Sequence, residues 1–144
     1  MKKDMVEAGD LAAALTGRWR LMRRVADRFA GEMTLEGWAA FGRSDRGLSY
    51  DEEGRWADGP MRGLTARRRD LWTFPAPGSV AVMFGDGRPF HRFEIAMGRA
   101  GAEHPCGPDL YRVRYRFDLP RGWRTVWRVT GPRKDYEMTS DYTR

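Results

Sequence analysis

The sequence predicts an all-β protein, an antiparallel up-and-down barrel of about nine or ten strands entered through a short N-terminal helix. Three observations carry this expectation. After Gly17 apolar residues recur at spacing two, in short segments separated by Gly, Pro and Asp clusters, which is the period of a strand with one buried face. The segments are joined by short connections with hairpin chemistry, of which Gly85-Asp86-Gly87 is the plainest, because Asp-Gly tolerates positive φ. Finally, 144 residues is one domain's length, enough to bury roughly two-thirds of the unfolded surface around a single core.

Taken in order, Lys2 to Leu15 reads as the helix, with Asp10 as a cap before Leu11-Ala12-Ala13-Ala14-Leu15 and Gly17 as its stop. Strands are then expected at Trp19 to Val25, Met33 to Phe41, Leu48 to Trp56 and Leu64 to Phe74. Val80 to Phe84 and Pro89 to Ile95 form a hairpin around the Asp-Gly turn, and His91, Phe93 and Ile95 share a side of its second strand. Gly98 to Pro108 reads as irregular, since Pro105 and Pro108 exclude a central strand. Leu110 to Leu119 is the clearest strand, with Tyr111, Val113, Tyr115 and Phe117 facing one way and Arg112, Arg114 and Arg116 the other. Trp123 to Thr130 and Asp135 to Thr143, joined by the turn Gly131-Pro132-Arg133-Lys134, complete the set. Closing such a meander removes the unpaired edges that an open sheet would leave. A sandwich is the alternative.

Composition narrows the function classes. The net charge of +6 comes mainly from arginine, for the lysines are Lys2, Lys3 and Lys134. Arginine excess suits anionic ligands, because guanidinium pairs with carboxylate and phosphate in a two-bond fork. Arg112, Arg114 and Arg116, with Arg124 and Arg128 on the neighbouring strand, are expected to form a solvated outer stripe. Trp38 is the main aromatic platform that a nucleic-acid surface would use with them. Cys106 is the lone cysteine and His91 and His104 the two histidines, so neither a disulfide nor a cysteine-rich zinc site is expected. His104 and Asp109 are expected to bond loop backbone, and Cys106 to pack at the barrel mouth. No apolar run approaches the roughly twenty residues of a membrane helix, and Met1-Lys2-Lys3-Asp4 lacks the apolar start of a secretory signal. A cytoplasmic protein, monomeric or homodimeric, is therefore expected.

The opening Gly17-Arg18-Trp19, followed by a meander that ends in Arg144, resembles the lipocalin and calycin superfamily. That resemblance implies that Trp19 plugs one end of the barrel and that Arg144 stacks across it. A more specific set of motifs is similar to the uncharacterised family catalogued as domain of unknown function 6314. It comprises Gly17-x-Trp19-x-x-x-Arg23, Tyr50-x-Glu52-x-Gly54, Phe90-His91 and His104-x-Cys106-x-x-Asp109-x-Tyr111. It ends with Gly131-Pro132-Arg133-Lys134-Asp135-Tyr136 and Tyr142-x-Arg144. The resemblance spans nearly everything after the first ten or so residues and implies no activity.

With Trp19 facing the lumen, alternation puts Arg23 on the same side. It also turns Tyr50, Glu52, Arg68, Asp70, His91, Tyr111, Tyr115 and Trp127 inward. A buried charge must be paired, so Arg23 with Glu52 and Arg68 with Asp70 are the expected couples. One reading is a barrel that binds a small, anionic, partly apolar ligand, with Arg23 and Arg68 on its acid group, Tyr50, Tyr111 and Tyr115 as walls, and Glu52 and His91 beside it. A second is a lyase, isomerase or hydrolase with His91 as base, near Tyr50 or Glu52 and oriented by Glu52 or Asp70. A third is a haem-binding barrel with His91 or His104 as the iron ligand.

Overall fold

The computed structural model describes residues 8–144. Helix α1 spans Ala8–Leu15, and ten strands follow: β1 Gly17–Asp27, β2 Gly31–Ser44, β3 Gly47–Trp56, β4 Thr65–Ala76, β5 Ser79–Phe84, β6 Pro89–Glu94, β7 Arg99–Cys106, β8 Asp109–Asp118, β9 Gly122–Gly131 and β10 Lys134–Thr143. All pairings are antiparallel, in the order β6-β5-β4-β3-β2-β1-β10-β9-β8-β7. First and last strands thus zip together at the centre of the sheet, with Arg20 opposite Thr143 and Asp27 opposite Tyr136. The sheet rolls up until β6 and β7 face each other across a seam, giving a nearly closed barrel.

The period-two pattern explains the inner face. In β1 Trp19, Leu21 and Val25 are buried between exposed Arg18, Arg20 and Arg24. In β8 Val113 and Tyr115 are buried between exposed Arg112, Arg114 and Arg116. Where β2 and β3 cross, Gly37 sits opposite Gly54. A Cβ on Gly37 would lie 2.0 Å from the Glu53 carbonyl oxygen, so only glycine permits this approach of two backbones. The β9–β10 turn holds Lys134 opposite Gly131 and sets the register of the closing hairpin.

One end of the barrel is sealed as the lipocalin resemblance implies. Trp19 is fully buried and donates its indole N–H to the Leu15 carbonyl at 2.9 Å. The Arg144 guanidinium lies 3.6 Å from the centre of the Trp19 ring and donates to the carbonyls of Leu15 (3.3 Å) and Thr16 (2.7 Å). Leu11 and Leu15 of α1 join the same core.

Several expectations are corrected. Asp10 lies inside α1 rather than before it, and Lys2 to Glu7 lie outside the described residues. Gly98 to Pro108 is not irregular, because most of it forms β7. Pro105 is accommodated there because β7 is a sheet edge paired only to β8, so its missing N–H leaves no ladder bond unmade. Leu64 precedes β4 and is exposed. Cys106 is exposed rather than packed at the mouth, His104 stands edge-on to the Phe90 ring, and Asp109 pairs with Lys134.

Arg144→Ala is expected to lower the unfolding free energy by about 1–2 kcal/mol, the scale of a desolvated cation–π contact with its backbone hydrogen bonds. Urea titration of both proteins measures this, and a midpoint unchanged by the substitution would show that the seal contributes no stability.

A luminal cavity with two polar clusters

The first cluster is built on Arg23. Its position on β1 puts it opposite Ser140 of β10, and its Nε donates to the Ser140 hydroxyl at 2.7 Å. Nη1 and Nη2 fork onto Glu52 of β3 at 2.6 and 3.0 Å, and Nη2 also reaches the Tyr142 hydroxyl at 3.4 Å. These bonds use all but one of the five guanidinium N–H groups. Tyr50 donates to Glu52 at 2.5 Å and its oxygen lies 2.9 Å from that of Tyr142. Burial pushes the Glu52 carboxyl up, but the hydrogen bonds and charge of Arg23 outweigh it, and the group sits below its ordinary range. Burial above all, with the charge of Glu52, raises Tyr50 and Tyr142 although the Arg23 charge opposes it, so both remain phenols.

The second cluster lies on β4, β6 and β8. Arg68 donates from Nε to Asp70 at 2.9 Å while its guanidinium stacks 5.2 Å from the Phe90 ring centre. Its side chain is 42% exposed, against 8% for Asp70. Its Nη nitrogens make no hydrogen bond within the described residues. His91 of β6 meets the Tyr115 hydroxyl of β8 through Nε2 at 2.7 Å. Burial, with the charges of Arg68 and His104, lowers the His91 pKa to about 3, so the imidazole is neutral. Burial raises the Asp70 carboxyl above its ordinary value even though Arg68 opposes the shift.

Between the clusters is a cavity of about 120 Å³. Arg23, Tyr50, Glu52, Arg68, Asp70, His91, Tyr111, Tyr115 and Trp127, all expected inside from alternation, line it together. Three residues of its lining each carry a buried polar atom without a hydrogen-bond partner among the described residues: Asp70 Oδ1, His91 Nδ1 and Trp123 Nε1. Native structures leave few buried polar atoms unpaired, and here three sit on residues that line one cavity.

The structure separates residues that the sequence pattern groups. His91 bonds Tyr115, not Tyr50, Glu52 or Asp70. Arg23 is occupied by Glu52, so it offers no free fork, and Arg68 is the arginine with Nη groups to spare. Trp123, Tyr136 and Tyr142 also line the cavity. Alternation along β9 and β10 holds that signal, because Trp123 is in phase with Trp127 and Tyr136 with Tyr142. Phe90 has no such signal. It should oppose His91, yet both line the cavity, because the β5–β6 register shifts between Val82 and Met83.

On the outer face Arg112, Arg114 and Arg116 are exposed, and Arg112 pairs with Glu103. Trp38 is on β2, well around the barrel, and is covered by Arg18 at 4.7 Å. It is no platform for that stripe. Among the described residues no group of three or more His, Cys, Asp or Glu side chains is placed to hold a metal ion, and no helix is long and apolar enough to cross a membrane.

Because Glu52 is held below its ordinary range, its contribution is present above about pH 4 and is lost as pH falls through its depressed folded value. Glu52→Gln, which leaves the Arg23 charge uncompensated, is expected to cost about 3 kcal/mol at neutral pH. The gap to the wild type should close as the pH is lowered below the carboxylate range. Urea unfolding from pH 7 to pH 3 measures both effects, and a gap independent of pH would contradict the charge assignment.

Known structures share this architecture. The S-type phycobiliprotein lyase CPES from Guillardia theta superposes with a TM-score of 0.70 at 9% identity, covering 96% of this chain and 92% of that one. A protein of unknown function from the DUF3598 family, from Nostoc punctiforme, gives 0.63 at 11% identity, covering 92% of this chain and 48% of that one. At these identities the likeness is one of fold, that of lipocalin-like barrels. No curated protein matches the sequence. Residues 15–144, which carry the seal and both luminal clusters, match the model of the Family of unknown function DUF6314, and the chain belongs to that family.

Proposed function

We propose that the protein binds a small, anionic, partly aromatic molecule in the barrel lumen. The observation that carries this reading is the set of three unpartnered buried atoms, Asp70 Oδ1, His91 Nδ1 and Trp123 Nε1, in the lining of one cavity. A buried polar atom without a partner is costly, and a ligand that bonds to them removes that cost. Arg68 supports an anionic ligand, for its Nη groups are uncommitted and its guanidinium lies beside the Phe90 ring. Tyr111, Tyr115 and Trp127 supply aromatic walls.

Size limits the enclosed part of the ligand to one ring at most, since an apolar cavity of about 150 Å³ takes benzene and this one measures about 120 Å³, so the acid group lies outward at the half-exposed Arg68. That scale favours a small acid over a macrocycle such as haem. The acid–base reading has less support, because His91 is oriented by a phenol instead of a carboxylate and is a weak base with its pKa near 3. A lipocalin-like barrel is compatible with a luminal ligand, and the lyase named above is a reminder that the fold also occurs in an enzyme.

Calorimetric titration with benzoate and with its hydroxylated derivatives is expected to show saturable binding by the wild type. Arg68→Met should weaken it at least tenfold, while Arg114→Ala, on the outer face, should leave it unchanged. Equal binding by Arg68→Met would remove the anion site from the lumen, and failure of the whole probe set to bind the wild type would overturn the reading.

A further inference from the structure

The outer wall of the barrel follows a rule of charge pairing that fails in one place. Across β2, β3 and β4 the register sets Glu36 opposite Arg55, Asp51 opposite Arg69 and Glu53 opposite Arg67. Across β9 and β10 it sets Arg124 opposite Asp141 and Arg128 opposite Glu137. On β7, β8 and β9 like charges meet instead. Arg116 stands between Arg99 and Arg124, and Arg112 is opposite Arg128. No other strand pair among the described residues sets like charges directly opposite each other. Side chains so placed are about 5 Å apart at Cβ, and like charges at that distance oppose the pairing of the strands.

Part of the excess is neutralised. Arg112 pairs with Glu103, Arg124 with Asp141 and Arg128 with Asp135, while Asp118 at the end of β8 is taken by Arg121. Arg99, Arg114 and Arg116 are exposed and enter no ion pair among the described residues. Arg114 has Gly101 on one side and Val126 on the other, and these small neighbours line a trough with it.

We infer that this face docks an acidic segment of a partner protein, held in extended conformation along β8. Charge and repeat both point to such a segment. Side chains on one face of a strand recur about every 7 Å, so Arg112, Arg114 and Arg116 form a ladder of that period. An extended segment with an acid at every second residue presents carboxylates at the same period, and a guanidinium meets each in a two-bond fork. Such a partner also relieves the repulsion along the row of Arg99, Arg116 and Arg124. Nucleic acid fits less well. Single strands bind on aromatic platforms, and the outward residues of β7, β8 and β9 include no aromatic ring. A duplex is anchored through about six to ten phosphate contacts, far more than Arg99, Arg114 and Arg116 supply.

The test is fluorescence anisotropy with two labelled peptides of equal length and composition, one alternating Glu and Thr and the other carrying all its Glu in one block. They are titrated with wild type, with the double variant Arg114→Gln, Arg116→Gln and with the double variant Arg20→Gln, Arg24→Gln. Arg20 and Arg24 are exposed on β1, separated from β8 by β10 and β9, so both variants lose the same charge from different faces. Wild type and the β1 variant should bind the alternating peptide alike. The β8 variant should bind it about fivefold or more weakly, the scale of two exposed ion pairs. Binding should weaken with added salt, and wild type should prefer the alternating peptide to the blocked one. Equal loss in the two variants would reduce the effect to net charge and overturn the docking face. Equal affinity for the two peptides would overturn the extended ladder, and tighter binding of a DNA duplex of equal charge would overturn the choice of partner. If neither peptide binds wild type, the whole inference falls. The wild-type comparisons decide the matter even if a variant fails to fold.

Discussion

A guanidinium in the middle of a barrel has to be satisfied from several directions, and Arg23 is satisfied from two other strands. Glu52 comes from β3, and Ser140 and Tyr142 come from β10, while Arg23 itself belongs to β1. β1 is hydrogen-bonded to β10 on one side and is separated from β3 by β2 on the other. The fork therefore spans the curve of the sheet from inside. Losing Glu52 would leave a buried charge with no counter-charge, which is far worse than never having placed the pair there. The pair thus holds the curvature that brings the opposite wall within reach.

This cluster also leaves little capacity for any further hydrogen bond. Arg23 and Glu52 have spent nearly all their hydrogen-bonding capacity on each other, Tyr50, Tyr142 and Ser140. The other half of the lumen is under-satisfied. Arg68 is half-exposed, and among the described residues its Nη groups are uncommitted and three buried atoms have no partner. One half is an internally satisfied brace, and the other is the half to which the proposed function assigns recognition. Both are made of arginine, carboxylate and phenol, so residue type alone does not distinguish them.

The fold by itself says little about chemistry. Barrels with 9% and 11% identity to this chain share its architecture, because alternating inward residues and short hairpins suffice to specify it whatever the lining carries. What individualises this chain is the lining, in which phenols, indoles, an imidazole and two ion pairs surround one small space.

Spacing alone was enough to determine the all-β class, the succession of hairpins and the inward phase of Arg23, Tyr50, Glu52, Arg68, Asp70, His91, Tyr111 and Tyr115, because a strand's side chains alternate whatever its neighbours do. The couples Arg23–Glu52 and Arg68–Asp70 were legible as well, since an inward charge needs an inward counter-charge. Three things came only from tertiary structure. Phe90 joins the lining through a register shift between β5 and β6, which depends on the partner strand. Pro105 lies within β7 because that strand is an edge, and edges exist only once the sheet order is known. His91 bonds Tyr115 because the rolling of the sheet brings β6 and β8 together, although the two stand near opposite ends of the strand order. Periodicity is a property of one strand, whereas partnership across a lumen is a property of the closed barrel. For that reason the sequence determined which groups face inward, and only the folded chain decided which of them remain free.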